Sequence, residues 1–149
     1  MPEEAKSIAL IMHSTETVAT DDPWIHWVIW NIPVDLGEFS EGVPQTEELS
    51  DGSRQGVNRG ATIGYVGPCP PEFILVSAAQ SFASGKMEPI TSKTDTLEKY
   101  FFDLYALDAV LDLAPGATSE ELLQTMEGHV LAGGELVGEQ LGKFLIKNN

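Results

Sequence analysis

His26 sits inside the run Trp24-Ile25-His26-Trp27-Val28-Ile29-Trp30-Asn31-Ile32-Pro33, an imidazole embedded in aromatic and β-branched residues. A histidine so placed is either a hydrogen-bonded core residue or the polar centre of a small pocket, since it donates from either ring nitrogen and from both when protonated. Further along, Gly64-Tyr65-Val66-Gly67-Pro68-Cys69-Pro70-Pro71 packs three prolines around the only cysteine. Prolines fix φ and remove backbone donors, so this stretch is a stiff turn or the rigid wall of a pocket. No basic residue neighbours Cys69 in sequence to activate it as a thiolate, which favours an inert, partly buried thiol. One cysteine and three scattered histidines give no ligand pair at zinc spacing, so no metal and no cofactor is expected.

Composition narrows the function classes. The 149 residues suit a single domain, 1–149, with 42% hydrophobic and 21% charged residues. The net charge of −15, from 23 acids against 8 bases, repels phosphate backbones and anionic lipid surfaces at long range, so nucleic acid is not an expected partner, and no membrane insertion is expected. A small anion is only disfavoured, because local donors override the global field at short range. The start, Met1-Pro2-Glu3-Glu4-Ala5-Lys6, lacks the features of a signal peptide, no apolar run has membrane length, and a lone cysteine forms no internal disulfide; a cytoplasmic location is expected.

The elements that must position these residues read as mostly strands. Ser7 to Met12 is a buried strand, followed by a polar loop from His13 to Pro23. Trp24 to Ile32 is apolar on both sides, with Trp24, His26, Val28 and Trp30 on one face and Ile25, Trp27 and Ile29 on the other. Residues 34 to 60 form a long irregular connection. Tyr100 to Leu107 is strongly β-prone. Thr118-Ser119-Glu120-Glu121 has the form of a capping box, and Leu122, Leu123, Met126, His129 and Val130 continue it at helical spacing until Gly133-Gly134. Glu135 to Gly138 adds a closing strand. The order is not a βαβ repeat, so a mainly antiparallel β-sandwich with a helix near the C-terminus follows. His13 reads as a rim residue and His129 as a structural residue of the helix.

Taken in order, Ser7-Ile8-Ala9-Leu10, His26-Trp27-Val28, Asn31-Ile32-Pro33, Gln55-Gly56-Val57-Asn58, Gly64-Tyr65 with Gly67 to Pro71, Tyr100-Phe101-Phe102 with Leu104 to Asp108, and Met126 to Ala132 with Glu135 to Gly138 resemble the phosphatidylethanolamine-binding protein family in its bacterial and archaeal branch. The resemblance implies a Greek-key β-sandwich with an anion pocket for phosphate-like head groups. It also implies a binding or regulatory protein, a possible protein partner and a possible homodimer. Carried over residue by residue, the ligand-binding set is His26, Cys69, Pro70, Pro71 and Tyr100, with Ser14 where the family has an aspartate and Glu98 where it has a histidine. An insertion of about twenty residues lies around 72–97, at the pocket rim, and the chain is short at its N-terminus relative to the family.

Both substitutions weaken the family's anion chemistry. Ser14 removes the acid that would orient His26 and hold it protonated, and a carboxylate at Glu98 repels a nearby phosphate. An altered pocket that holds phospholipid head groups weakly or not at all is the expectation, with no catalytic residues. Two alternatives stand beside it. One is a weak hydrolase using Ser14 and His26 as nucleophile and base, though no Gly-x-Ser-x-Gly elbow surrounds Ser14. The other is an interaction scaffold with a vestigial pocket, in which Phe73-Ile74-Leu75-Val76 makes the contact.

Overall fold

The computed structural model describes residues 1–14, 23–68 and 96–142. Strands β1 (Ser7–Ser14), β2 (Trp24–Ile32), β3 (Arg54–Gln55), β4 (Thr96–Leu107) and β5 (Val130–Gly142) form one antiparallel sheet in the order β3-β2-β1-β4-β5, and helix α1 (Ser119–Met126) lies between β4 and β5 in sequence. This is the mainly β fold with a helix near the C-terminus that the sequence leads one to expect. The segment 69–95, which holds most of the expected insertion and Phe73 to Val76, lies outside the described residues.

β1 is the central strand, and both its faces are covered, which is why its apolar residues run without alternation. On one face Ala9, Ile11, Val28, Trp30 and Leu107 pack against Leu122 and Met126 of α1 and against Leu111 and Ala117. On the other, Ile8, Met12, Trp27, Ile29 and Tyr100 are covered by Leu36, Phe39, Val43 and Leu49 from the connection after β2. Trp30 and Ile29, both 0% exposed, anchor the two sides, and burial of each such side chain is worth about 1.5–3 kcal/mol.

Three local details differ from the sequence reading. β1 runs two residues further than Met12, so His13 and Ser14 belong to a strand rather than a loop. The Thr118 capping box forms as expected, with Glu121 N donating to Thr118 Oγ1 at 3.2 Å and Thr118 N to Glu121 Oε2 at 2.8 Å, but α1 stops at Met126. Gly128, at φ +82, turns the chain there, and Gly133-Gly134 become part of β5 instead of ending the helix. His129 therefore lies in an exposed turn, where its Nδ1 meets Asp108 Oδ1 at 2.8 Å.

The third difference concerns which way β2 presents its residues. Met12 pairs with Trp27 but His13 pairs with Ile25, so His26 is the extra residue of a β-bulge. The bulge resets the alternation: Ile25 shares a face with Val28 and Trp30, while His26 joins the face of Trp27, Ser14 and Tyr100. Strict period-two reading puts His26 on the wrong side.

Candidate functional site

Ser14, His26 and Tyr100 come together from three adjacent strands. Ser14, the last residue of β1, is in register with Trp24 of β2 on one side and Tyr100 of β4 on the other. The bulge in β2 brings the His26 ring back over this row. Ser14 Oγ lies 3.1 Å from His26 Nε2, and the Tyr100 ring meets the imidazole edge-on at 5.2 Å between centroids. All three are buried, at 3%, 3% and 5% exposure, so the cluster sits in low dielectric where each hydrogen bond carries more weight.

The second ring nitrogen fixes the chemistry of the first. His26 Nδ1 lies 3.0 Å from the Val66 carbonyl, which can only accept, so Nδ1 carries a proton. In the neutral ring Nε2 is then an acceptor, and the Ser14 hydroxyl donates to it. Ser14 Oγ keeps its lone pairs but has spent its proton. Protonation of His26 reverses this bond: Nε2–H donates to Ser14 Oγ, and the hydroxyl proton becomes available to a ligand. The Ser14–His26 pair is thus an acceptor when the ring is neutral and a donor when it is protonated.

Val66 is the residue that the sequence did not single out. Its amide donates to the His26 carbonyl at 2.9 Å while its carbonyl takes His26 Nδ1, so the segment running to Pro68 is laced to the bulge by a reciprocal pair of bonds. Backbone groups carry no sequence signature, and only the position of Val66 just before Gly67-Pro68 hinted at it. Cys69, Pro70 and Pro71 follow directly but lie outside the described residues. Glu98 lies in β4 opposite Gln140, with its side chain likewise outside them.

The Gln55-Gly56-Val57-Asn58 run builds the support under this site. Gln55 Oε1 accepts from Trp27 Nε1 at 2.7 Å, and its Nε2 donates to the Pro44 and Thr46 carbonyls at 2.8 Å each. Asn58 Oδ1 accepts from Gly60 N while its Nδ2 donates to the Gly64 carbonyl at 2.9 Å, closing the turn that returns the chain toward Val66. Gly56 has no room for a side chain: a Cβ there would meet the Ala117 carbonyl and Val28. Asn31, at φ 56, clamps the far side by accepting from Leu111 N at 2.8 Å and donating to the Leu111 carbonyl at 3.0 Å. These residues are structural, and their polar atoms are consumed by the fold.

The sequence pattern of the family described as phosphatidylethanolamine-binding protein matches residues 1–73 and 79–140. The chain belongs to the phosphatidylethanolamine-binding protein family. Among its relatives, a UPF0098 protein of Methanothermobacter thermautotrophicus is 44% identical over 138 residues, and a UPF0098 protein of Chlamydia muridarum is 36% identical over 141; each alignment covers 93% of this chain and 75% of the relative. A crystal structure of a phosphatidylethanolamine-binding protein homolog from Chlamydia trachomatis superposes with a TM-score of 0.69 at 32% identity, over 93% of this chain and 74% of that one. E. coli YbcL, a member of the same family, shares the fold with a TM-score of 0.62 at 20% identity, covering 93% and 73%. The chain thus spans about three quarters of the length of these family members.

Among the described residues no helix is long and apolar enough to cross a membrane, and no group of three or more His, Cys, Asp or Glu side chains is placed to hold a metal ion.

Proposed function

We propose that this family member is a binding or regulatory protein rather than an enzyme, whose Ser14–His26–Tyr100 pocket holds a small polar ligand that donates a hydrogen bond. Phosphorylated head groups bind it weakly at neutral pH. The observation that carries the reading is the bond between Ser14 Oγ and His26 Nε2 with Nδ1 committed to Val66. With the ring neutral, the pair offers an anion lone pairs where it needs protons. The family aspartate that would keep the ring charged is a serine here, and the net charge of −15 adds a long-range penalty.

Ser14→Asp tests this directly. Returning the carboxylate next to Nε2 favours the imidazolium, raises the pH at which His26 titrates and tightens phosphate and phosphoethanolamine binding several-fold at neutral pH. A variant in which His26 titrates at higher pH while phosphate affinity stays unchanged contradicts the reading.

The same bond gives a second reading specific support. A serine hydroxyl donating to an imidazole that is itself oriented through its other nitrogen has the arrangement of a nucleophile and its base. One feature argues against turnover: the group that orients His26 is a neutral carbonyl, which stabilises the imidazolium less than a carboxylate does. An activated ester such as p-nitrophenyl acetate separates the readings: hydrolysis above background that disappears in Ser14→Ala establishes the hydrolase, and background rates in both proteins support the binding module.

A further inference from the structure

Adjacent residues of β1 serve opposite sides of the sheet. Ser14 bonds to His26, whereas His13 lines a cavity of about 430 Å³ on the α1 side, between β1, β2, β4, the turn at 57–59 and the first turn of α1. A volume of this size suits a small organic molecule. Ile11, Ile25, Val57 and Leu123 supply apolar lining, and the polar lining includes His13, Asp103, Tyr105 and Glu120.

The polar groups are biased towards accepting. His13 Nε2 lies 3.1 Å from Asp103 Oδ2, and a carboxylate can only accept in that bond, so the proton sits on Nε2. In the neutral ring Nδ1 is then a lone pair, and it is buried with no hydrogen-bond partner among the described residues. The Glu120 backbone amide and the Thr118 hydroxyl hold the Glu120 carboxyl below the usual range, so the positive end of α1 is already occupied by an internal anion. Burial pushes the Tyr105 hydroxyl up, and Asp103 and Glu135 push it in the same direction, which registers a negative field at the β4 wall. Arg59 also lines the cavity; its guanidinium lies 5.4 Å over the Trp24 ring, with Nη1 at 3.4 Å from the Pro23 carbonyl.

We propose that this cavity binds a small organic cation, a primary ammonium carried on an apolar or aromatic body. The ammonium donates to the Asp103 and Glu120 carboxylates and the Tyr105 oxygen, and the body rests on Ile11, Ile25 and Val57. An anion of the same shape meets two lining carboxylates in a protein of net charge −15. This site shares no side chain with the Ser14–His26 pocket, and its failure leaves the proposed function untouched.

Titration of the ¹⁵N-labelled full chain with benzylammonium, with benzyl alcohol and phenylacetate as neutral and anionic controls, tests the proposal. Saturable shifts at Ile25, Val57, Asp103 and Ser119 are expected, with affinity at least about tenfold above either control. Glu120 is exposed, so Glu120→Gln keeps the fold and weakens benzylammonium about threefold or more. Asp103→Asn weakens it further; should that variant lose its fold through the broken His13 pair, Glu120→Gln decides. Absence of saturable shifts, equal affinity for phenylacetate, shifts confined to His26 and Tyr100, or unchanged affinity in Glu120→Gln each overturns the proposal.

Discussion

Val66 and His26 hold each other twice: the Val66 amide donates to the His26 carbonyl at 2.9 Å, and the Val66 carbonyl receives His26 Nδ1 at 3.0 Å. One bond pins the backbone of the bulge and the other sets the tautomer of its ring. The fold therefore decides that His26 meets Ser14 through Nε2, and the chemistry of this pair follows from a backbone contact.

Breaking this arrangement has a graded cost. His26→Leu leaves the Val66 carbonyl and the Ser14 hydroxyl without their ring partners in a buried place and is expected to destabilise by about 2–3 kcal/mol. Ser14→Ala removes only one bond and costs about 1 kcal/mol. Urea unfolding measures both; equal losses for the two variants would show that the Val66 bond contributes little.

Gly56 is the tightest point of the support. Its amide donates to the Val28 carbonyl at 2.9 Å, and a Cβ would collide with the Ala117 carbonyl on the far side, where no flexible side chain can yield. Gly56→Ala is expected to cost about 3 kcal/mol or more and to lower the melting temperature accordingly. A melting temperature within a few degrees of the parent would mean that the 114–117 segment moves freely.

Alkaline stability carries a second signature. The Tyr105 hydroxyl titrates above the ordinary tyrosine range, through burial first and then Asp103 and Glu135. A group raised in the folded state contributes stability that is intact below its unfolded pKa, about 10, and is lost as pH rises through the folded value. The parent should therefore lose stability above about pH 10 more steeply than Tyr105→Phe. Parallel alkaline profiles for the two proteins would contradict this.

The sequence made the elements readable where periodicity and caps were strong. β2 runs from Trp24 to Ile32 as expected because apolar residues fill both faces and Pro33 stops it, and α1 starts at its Thr118 capping box. The end of α1 was misread because Leu122, Met126 and Val130 keep helical spacing across the Gly128 turn. The side on which His26 lies was misread for a different reason. A β-bulge is set by the pairing of two strands far apart in sequence, and no residue of β2 announces it. Ser14 and Tyr100 were found through the family resemblance, and the structure brings them to His26. The cavity at His13 had no sequence signal, since its lining comes from β1, β2, β4, a turn and a helix end.

The most direct test of the altered pocket is a pH series of chemical-shift titrations on the full chain with phosphate and phosphoethanolamine, followed at His26 and Tyr100. While the His26 ring is neutral it accepts the Ser14 proton, and binding is expected to be millimolar or weaker. Protonation of the ring reverses the bond, so affinity is expected to rise about tenfold from the neutral to the acidic end of the series. Saturable shifts at His26 and Tyr100 in the micromolar range at neutral pH, independent of pH, would contradict the account.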